Sequence, residues 1–309
     1  MSTRDYGIPN CAWAARSLEL LDQPGPHLIV TPSDSDLERL ATDLSELAPH
    51  QQILSYQDDE QSPYSPLTPD PRHTWSRLGL LARLSVGEPV DIVVASAAAI
   101  GRYVPDLATI NATSLLLMTG EELERDQLLN HLEGAGYHRT PLVEDPGTVS
   151  LRGSVVDLWP PGEAQPVRAD FFGDSIETLR LFDPMTQRQG RTLDLLVVPP
   201  ARAFSVGASI AEKQRQALLA LSDQLELPSE NFLRCWQRIE AGIRYPGIEG
   251  LEPLLRAGST CLLELLPQST RIVLCGPRAI ENAWIETDLA LSQGFADRKE
   301  QELVAPPEQ

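Results

Sequence analysis

Strand and helix patterns alternate along the first third of the chain, and this alternation is the feature that most constrains the fold. Apolar strand patterns lie at 27–32, 52–56, 91–96 and 114–118, with helix patterns at 34–47 and 74–84 between them. Such alternation is typical of parallel strands covered by helices. A further strand pattern at 271–276 needs a sheet to join, and the first segment offers one. The sequence therefore predicts an α/β domain whose two parts lie on either side of an insertion.

Strand signals dominate the intervening stretch up to about residue 204. Thr119 and Glu122 have capping-box spacing and predict a helix through Leu132, which Gly134 and Gly136 end. We therefore predict a discontinuous α/β domain, residues 1–118 plus 206–309, split by an inserted β-rich α+β domain at 119–205. After the insertion, Ser209 with Glu212 predicts a second capped helix, and Ser229 the start of another. The polar tail 296–309 is expected to fray or form part of a linker.

The segment Leu151–Arg191 reads as a β-meander with an aromatic side chain on its polar face. Period-2 alternation puts Val167, Ala169 and Phe171 on one face, and Arg168, Asp170 and Phe172 on the other. Gly173-Asp174 supplies a turn, after which Leu179 and Leu181 lie opposite Arg180. The pattern favours recognition over catalysis. A merely solvated hairpin stays an alternative, since single exposed apolar side chains are ordinary.

Composition limits the partners that such a surface can take. The net charge is −19 and the sequence contains two lysines, so there is no Lys/Arg stripe of the kind that drives phosphate binding. We expect weak or no direct nucleic-acid binding. No run is apolar enough to predict a membrane span, and the first ten residues lack the apolar core of a secretion signal. The expected location is the cytoplasm.

Three runs of this segment carry a resemblance to a known family: RGSVVDLWP from Arg152, VRADFF from Val167 and DSIETLRLFDPMTQR from Asp174. Further matches follow the same order at 62–84, 91–96 and 247–255. The chain resembles the UvrB-homology region at the N-terminus of bacterial transcription-repair coupling factors (Mfd), and more distantly the damage-recognition protein UvrB. The likeness covers nearly the whole chain, and the shared order of its motifs makes it specific.

The resemblance implies a function and a set of binding residues. It implies that the α/β domain is a degenerate helicase-like domain, and that the inserted domain recruits UvrA in transcription-coupled nucleotide excision repair, imitating UvrB. Matching residue by residue, the UvrA contacts are Arg152, Arg168 and Phe172. The expected polar rim consists of Asp170, Asp174, Glu177 and Arg180. Other domains of the coupling factor are further expected partners, and RNA polymerase only through other regions.

The chemistry needed for nucleotide hydrolysis is missing from the sequence. A phosphate-binding loop needs a lysine after a glycine-rich turn, and neither Lys213 nor Lys299 has that context. The run 6–20 resembles a degenerate version of the loop, in which Gly7 remains as a turn glycine. The acidic run 58–60 lies in a Ser- and Pro-rich loop and does not have the spacing of a metal site. We therefore expect no enzymatic activity, no cofactor and no metal.

Two alternatives remain open on the sequence. The chain could belong to an ATP-driven DNA translocase as its DNA-binding part, a role that would show as strongly salt-dependent DNA binding. It could instead restrain a motor elsewhere in the same polypeptide through intramolecular packing. The second role is compatible with UvrA recruitment, because one face can be hidden in one state and offered in another.

Overall fold

The computed structural model of the protein describes residues 7–21, 25–59, 61–256, 258, 260–300 and 302–307. The strands of the described residues are β1 (His27–Thr31), β2 (Ile53–Tyr56), β3 (Ile92–Ser96), β4 (Leu115–Met118), β5 (His138–Arg139), β6 (Thr148–Arg152), β7 (Val155–Leu158), β8 (Val167–Phe172), β9 (Ser175–Phe182), β10 (Gln189–Leu193), β11 (Leu195–Val198) and β12 (Arg271–Leu274). The helices are α1 (Trp13–Leu20), α2 (Asp34–Leu47), α3 (Pro71–Ser85), α4 (Ala97–Ile100), α5 (Leu107–Thr113), α6 (Arg125–Gly134), α7 (Ala208–Gln224), α8 (Ser229–Glu240), α9 (Glu252–Leu255), α10 (Leu262–Leu265) and α11 (Pro277–Arg298).

Four parallel strands form the first sheet, in the order β12–β1–β3–β2. Strands β1 and β3 are buried at every residue because helices cover both faces of the sheet. Ile29 packs into the core that contains residues of α1 and α2, whereas Leu28 and Val30 pack into the core of the opposite face. The predicted parallel sheet and the predicted return of the chain through β12 are both confirmed.

Two details of this sheet differ from the prediction. Strand β12 was expected to be buried, yet Ile272 and Leu274 are about half exposed, because β12 lies at the edge of the sheet. The apolar run 114–118 was expected to continue the parallel sheet, but β4 pairs antiparallel with β11. A short run of leucines carries no information about the direction of its partner strand.

The pair β4–β11 forms a stem through which the chain enters and leaves the inserted β-rich unit. Leu117 and Leu196 face the core of that unit. Val197 faces a second core, which includes Leu78 and Leu81 of α3. The Trp75 indole N–H also donates to the carbonyl oxygen of Ala201, at 3.1 Å. The stem therefore belongs to both cores and fixes the inserted unit against α3.

The inserted unit contains a six-stranded sheet in the order β10–β9–β8–β7–β6–β5, antiparallel except at the β5–β6 pair. Helix α6 covers its inner face through Leu128, Leu129 and Leu132. The chain is thus an α/β protein with a parallel sheet and an inserted β-rich α+β unit, as predicted. None of the helices among the described residues combines the length and the apolar character needed to cross a membrane.

Both predicted capping boxes are wrong. Helix α6 begins at Arg125, because the segment before it hydrogen-bonds to other strands: the Thr119 hydroxyl donates to the Leu193 carbonyl at 3.2 Å, and Glu122 pairs with Ser175. Helix α7 begins at Ala208 after Gly207, without a side-chain cap. Helix α6 ends at Gly134 and helix α8 begins at Ser229, and both of these predictions are confirmed.

The C-terminal tail is packed where it was expected to fray. Helix α11 continues to Arg298, and Leu303, Val304 and Ala305 are buried. The Tyr64 hydroxyl donates to the Ala305 carbonyl at 3.0 Å, and the Ala305 amide donates to Gly250 at 2.7 Å. Three small or aliphatic residues in a polar run were enough to dock the tail on a core that α7, α8 and α9 build. Residues 301, 308 and 309 lie outside the described residues.

The acidic loop after β2 forms ion pairs with two largely buried arginines, Arg77 and Arg102. Asp59 accepts from Arg77 Nη2 at 2.9 Å, and both side chains are almost fully buried. Arg102 lies 3.1 Å from Asp59 and 2.7 Å from Asp58. Burial alone would raise the pKa of Asp59, but the two guanidinium groups outweigh burial and leave the pKa below its ordinary value of 3.8. Glu60, the third acid of the predicted cluster, lies outside the described residues.

Replacing Asp59 by asparagine should destabilise the protein by about 3 kcal/mol at neutral pH, because Arg77 would keep a buried charge without its carboxylate. The folded-state pKa of Asp59 is depressed, so its stabilisation is present above the unfolded pKa and is lost as pH falls through the folded one. Urea denaturation should therefore show that the free energy of unfolding differs between wild type and variant by a constant amount down to about pH 5. This difference should narrow once the pH falls below the ordinary pKa of an aspartate. Asp288→Asn, at an exposed position of α11, serves as the control. An equal loss in both variants, or a difference that grows with acid, would contradict this account.

Candidate functional site

The six-stranded sheet has one buried and one accessible face, and the sequence prediction of the two faces is confirmed. Val167, Ala169 and Phe171 of β8 are buried against the core below α6. Arg168 and Asp170 are half-buried on the opposite face, on which Phe172 is exposed. We call this opposite side the outer face. It is the surface on which the sequence placed Arg168, Asp170 and Phe172.

A buried carboxylate occupies the centre of the outer face. Asp157 on β7 is directly paired with Arg168 on β8 and is only 1% exposed. Arg168 donates from Nε to Asp157 Oδ1 at 2.7 Å and from Nη2 to Oδ2 at 2.8 Å, so the pair is bidentate. The Arg168 guanidinium also stacks on the ring of Phe182, whose centroid lies 4.7 Å from the guanidinium carbon. Three contacts thus fix the position and plane of this guanidinium.

The same carboxylate binds the second predicted arginine. Arg152, at the end of β6, donates from Nη2 to Asp157 Oδ2 and stays about half exposed. The side chain of Arg168 is 13% exposed. Its hydrogen bonds to Asp157 raise the pKa of Arg168 above the ordinary value, so this guanidinium is charged at any physiological pH. The structure therefore brings Arg152 and Arg168 together on one acid.

Phe172 stands at the end of β8, next to the turn that leads into β9. Its side chain is 79% exposed, and Gly173 makes the turn with φ of +63°. The turn is held from below, because the Leu123 amide donates to the Asp174 carbonyl at 2.7 Å and the Ile176 amide donates to Glu121 at 2.9 Å. An aromatic ring is thus presented to solvent on a fixed backbone.

The four predicted rim residues lie on β8, on β9 and in the turn between these strands. Asp170 accepts from the Thr178 hydroxyl at 2.9 Å, and Arg180 donates to Gln189 at 2.8 Å. Asp174 lies exposed in the turn, and Glu177 is the extra residue of a β-bulge opposite Asp170 and Phe171. Arg180 is directly opposite Arg168, a like-charge pairing that Asp157 offsets.

Sequence reasoning missed three residues that shape the outer face: Asp157, Phe182 and Gln187. Asp157 had a signal, since it is the one charged residue in the apolar strand β7 and alternates with buried Val156 and Leu158. Phe182 ends β9 on the polar side, where alternation alone would place an exposed ring. Gln187, which accepts from Arg168 Nη2 at 3.0 Å, lies in the turn after β9 and had no signal in the sequence.

No candidate metal site occurs within the part of the chain that the structure describes. There, no three His, Cys, Asp or Glu side chains come together as candidate ligands. In the run that resembles a degenerate phosphate-binding loop, Gly7 has a φ of +73°, and a short 3-10 turn at Asn10–Ala12 leads into α1. Tyr6, the first residue of that run, lies outside the described residues.

A family match covers the sheet that carries the outer face, and several known proteins match over most of the chain. Residues 115–204 match the UvrB interaction domain family. The chain is 33% identical over 299 residues to the transcription-repair-coupling factor of Myxococcus xanthus, covering 91% of this chain and 24% of that protein. It is 30% identical over 246 residues to the transcription-repair-coupling factor of Haemophilus influenzae, covering 80% and 21%. UvrABC system protein B of Thermosipho africanus is 24% identical over 227 residues, covering 70% and 34%.

Residues 115–204 are therefore assigned to the UvrB interaction domain family. Over most of its length the chain is a homologue of bacterial transcription-repair coupling factors, and it is also related to UvrB. It spans about a quarter of the length of the coupling factors that it matches.

Changing Asp157 to asparagine should lower the free energy of unfolding by about 2 kcal/mol, because two arginines would lose their charged acceptor. Urea denaturation at neutral pH measures this loss. Glu177→Gln is the matched control, since it removes an exposed carboxylate from the same sheet. Equal stability of Asp157→Asn and wild type would mean that the buried carboxylate does not organise the outer face.

Proposed function

We propose that the chain is a non-catalytic adaptor of transcription-coupled nucleotide excision repair that recruits UvrA through the outer face of its inserted unit. The observation that carries the proposal is the position of Phe172. It is an aromatic side chain, 79% exposed, within the range that matches the UvrB interaction domain, and it lies on the face that also carries two arginines bonded to one buried acid. The inserted unit, proposed to span residues 119–205, is the part that imitates UvrB.

The composition of the outer face supports binding to a protein. Exposed aromatic and arginine side chains are the residue types that dominate interface energetics. We propose that Phe172 fills a pocket on UvrA, and that Arg152 and Arg168 bond to acceptors around that pocket. Asp170, Asp174, Glu177 and Arg180 would form the solvated rim, where ion pairs contribute little.

The rigidity of the outer face also supports the proposal. Arg168 is fixed by Asp157 and Phe182, and the turn after Phe172 is hydrogen-bonded to the segment before α6. A surface ordered before binding loses little side-chain entropy when the partner arrives. Affinity can therefore come from few contacts.

We propose that other functions of the coupling-factor relatives belong to other regions of those proteins. We propose that this chain meets RNA polymerase only through other regions, and that neighbouring domains of the same protein are its further partners. The acidic net charge of −19 supports weak or no direct binding to nucleic acid.

Three alanine variants test UvrA recruitment by isothermal titration. Arg152→Ala, Arg168→Ala and Phe172→Ala should each weaken UvrA binding by about 2 kcal/mol, or about 30-fold, as central contacts do. Arg278→Ala, at an exposed position of α11, is the control for arginine. Leu289→Ala, 63% exposed on α11, is the control for an exposed apolar side chain. Unchanged affinity in all three test variants, with the proteins folded, would refute the assignment.

The non-catalytic part of the proposal has its own measurement. Lys213 lies within α7 and Lys299 follows α11, so neither follows a glycine-rich turn as a phosphate-binding lysine does. ATP turnover by this chain, with and without DNA, should equal the rate of a buffer blank. DNA-stimulated turnover above that blank would contradict the non-catalytic part of the proposal.

A further inference from the structure

The turn between β9 and β10 contains a glutamine in a backbone conformation that favours glycine. Gln187 has a φ of +59°. Residues with a Cβ rarely adopt this left-handed region, and glycine enters it without strain. Glutamine at such a position carries a backbone cost that glycine would avoid.

The side chain of Gln187 makes two directed hydrogen bonds. Its Nε2 donates to the Pro184 carbonyl at 2.8 Å, and its Oε1 accepts from Arg168 Nη2 at 3.0 Å. The turn itself is held by Asp183, whose Oδ1 accepts from the amides of Met185 and Thr186 at 3.0 and 2.7 Å. The bond to Pro184 orients the amide group, so that its oxygen faces the guanidinium.

The hydrogen bonds to Asp157 and Gln187 use the Nε and Nη2 groups of the Arg168 guanidinium. Nε and Nη2 donate to Asp157, and the second Nη2 hydrogen is directed at Gln187. The edge that normally binds a carboxylate side-on is therefore already occupied within the chain. Within the described residues Nη1 makes no hydrogen bond, so its two N–H groups are the donors left for a partner.

We propose that Gln187 is a positioning residue for UvrA binding, which acts through Arg168 by directing Nη1 outward. The inference rests on the proposed function of the outer face. It also specifies the chemistry on the UvrA side: a single acceptor, either a carboxylate oxygen or a backbone carbonyl, that approaches Nη1 end-on. A side-on bidentate carboxylate does not fit, because Asp157 already holds that edge.

The test is a binding series against UvrA with Gln187→Gly. This variant removes the side-chain bonds and also removes the left-handed strain, so its thermal midpoint should stay within about 4 °C of wild type. UvrA binding should weaken about tenfold, as expected for loss of a hydrogen bond to a charged group. Glu226→Gly is the matched control. Glu226 has a φ of +54° and follows α7, away from the outer face, so this variant should bind UvrA like wild type.

A double-mutant cycle separates positioning from direct contact. If Gln187 acts through Arg168, then Gln187→Gly should change affinity by less than about twofold in an Arg168→Ala background. A full tenfold loss in that background would overturn the inference, because Gln187 would then act independently of Arg168. Wild-type affinity of Gln187→Gly, beside weakened Arg168→Ala and Phe172→Ala, would overturn the inference and leave the proposed function standing. Failure of the wild-type chain to bind UvrA would overturn both.

Discussion

The Asp157 carboxylate is the interaction on which the outer face depends. A charge this deeply buried is stable in a protein only when it is paired and hydrogen-bonded. Arg168 and Arg152 supply that pairing from the two neighbouring strands, so β6, β7 and β8 are joined by side chains as well as by their backbone ladder. The carboxylate also offsets the repulsion between Arg168 and Arg180 across the β8–β9 pair. One acid thereby lets three arginines share a small surface.

The rest of the fold keeps that surface at a fixed place. Helix α6 fills the inner face of the six-stranded sheet, and the β4–β11 stem joins the same core to α3. Arg83 on α3 adds an ion pair with Glu163 of the inserted unit, at 2.6 Å. Gly162, which makes the turn at 161–163 with a φ of +84°, lies against Trp75 and Gly79 of α3. The sheet that carries the outer face is therefore held in place by its contacts with α3 of the α/β part of the chain.

The sequence predicted the features that follow from periodicity and missed those that follow from partners distant along the chain. Alternation was enough to separate Phe171 from Phe172, and a buried strand pattern at 271–276 was enough to return β12 to the first sheet. The helix start predicted at Thr119 failed because tertiary hydrogen bonds of residues 119–123 outweighed a local capping pattern. No pattern in the local sequence predicts the left-handed backbone of Gln187. The roles of Arg152, Arg168 and Phe172 in binding UvrA came from resemblance and remain a prediction.

The most direct measurement is hydrogen exchange of the chain's backbone amides with and without UvrA. The amides of the two outer-face turns, at 173–175 and 183–188, border the proposed contact. The account predicts that saturating UvrA slows exchange in these turns and leaves α7, α8 and α11 unchanged. Slowed exchange confined to the parallel sheet or to those helices, with both turns unaffected, would contradict the claim that the outer face binds UvrA.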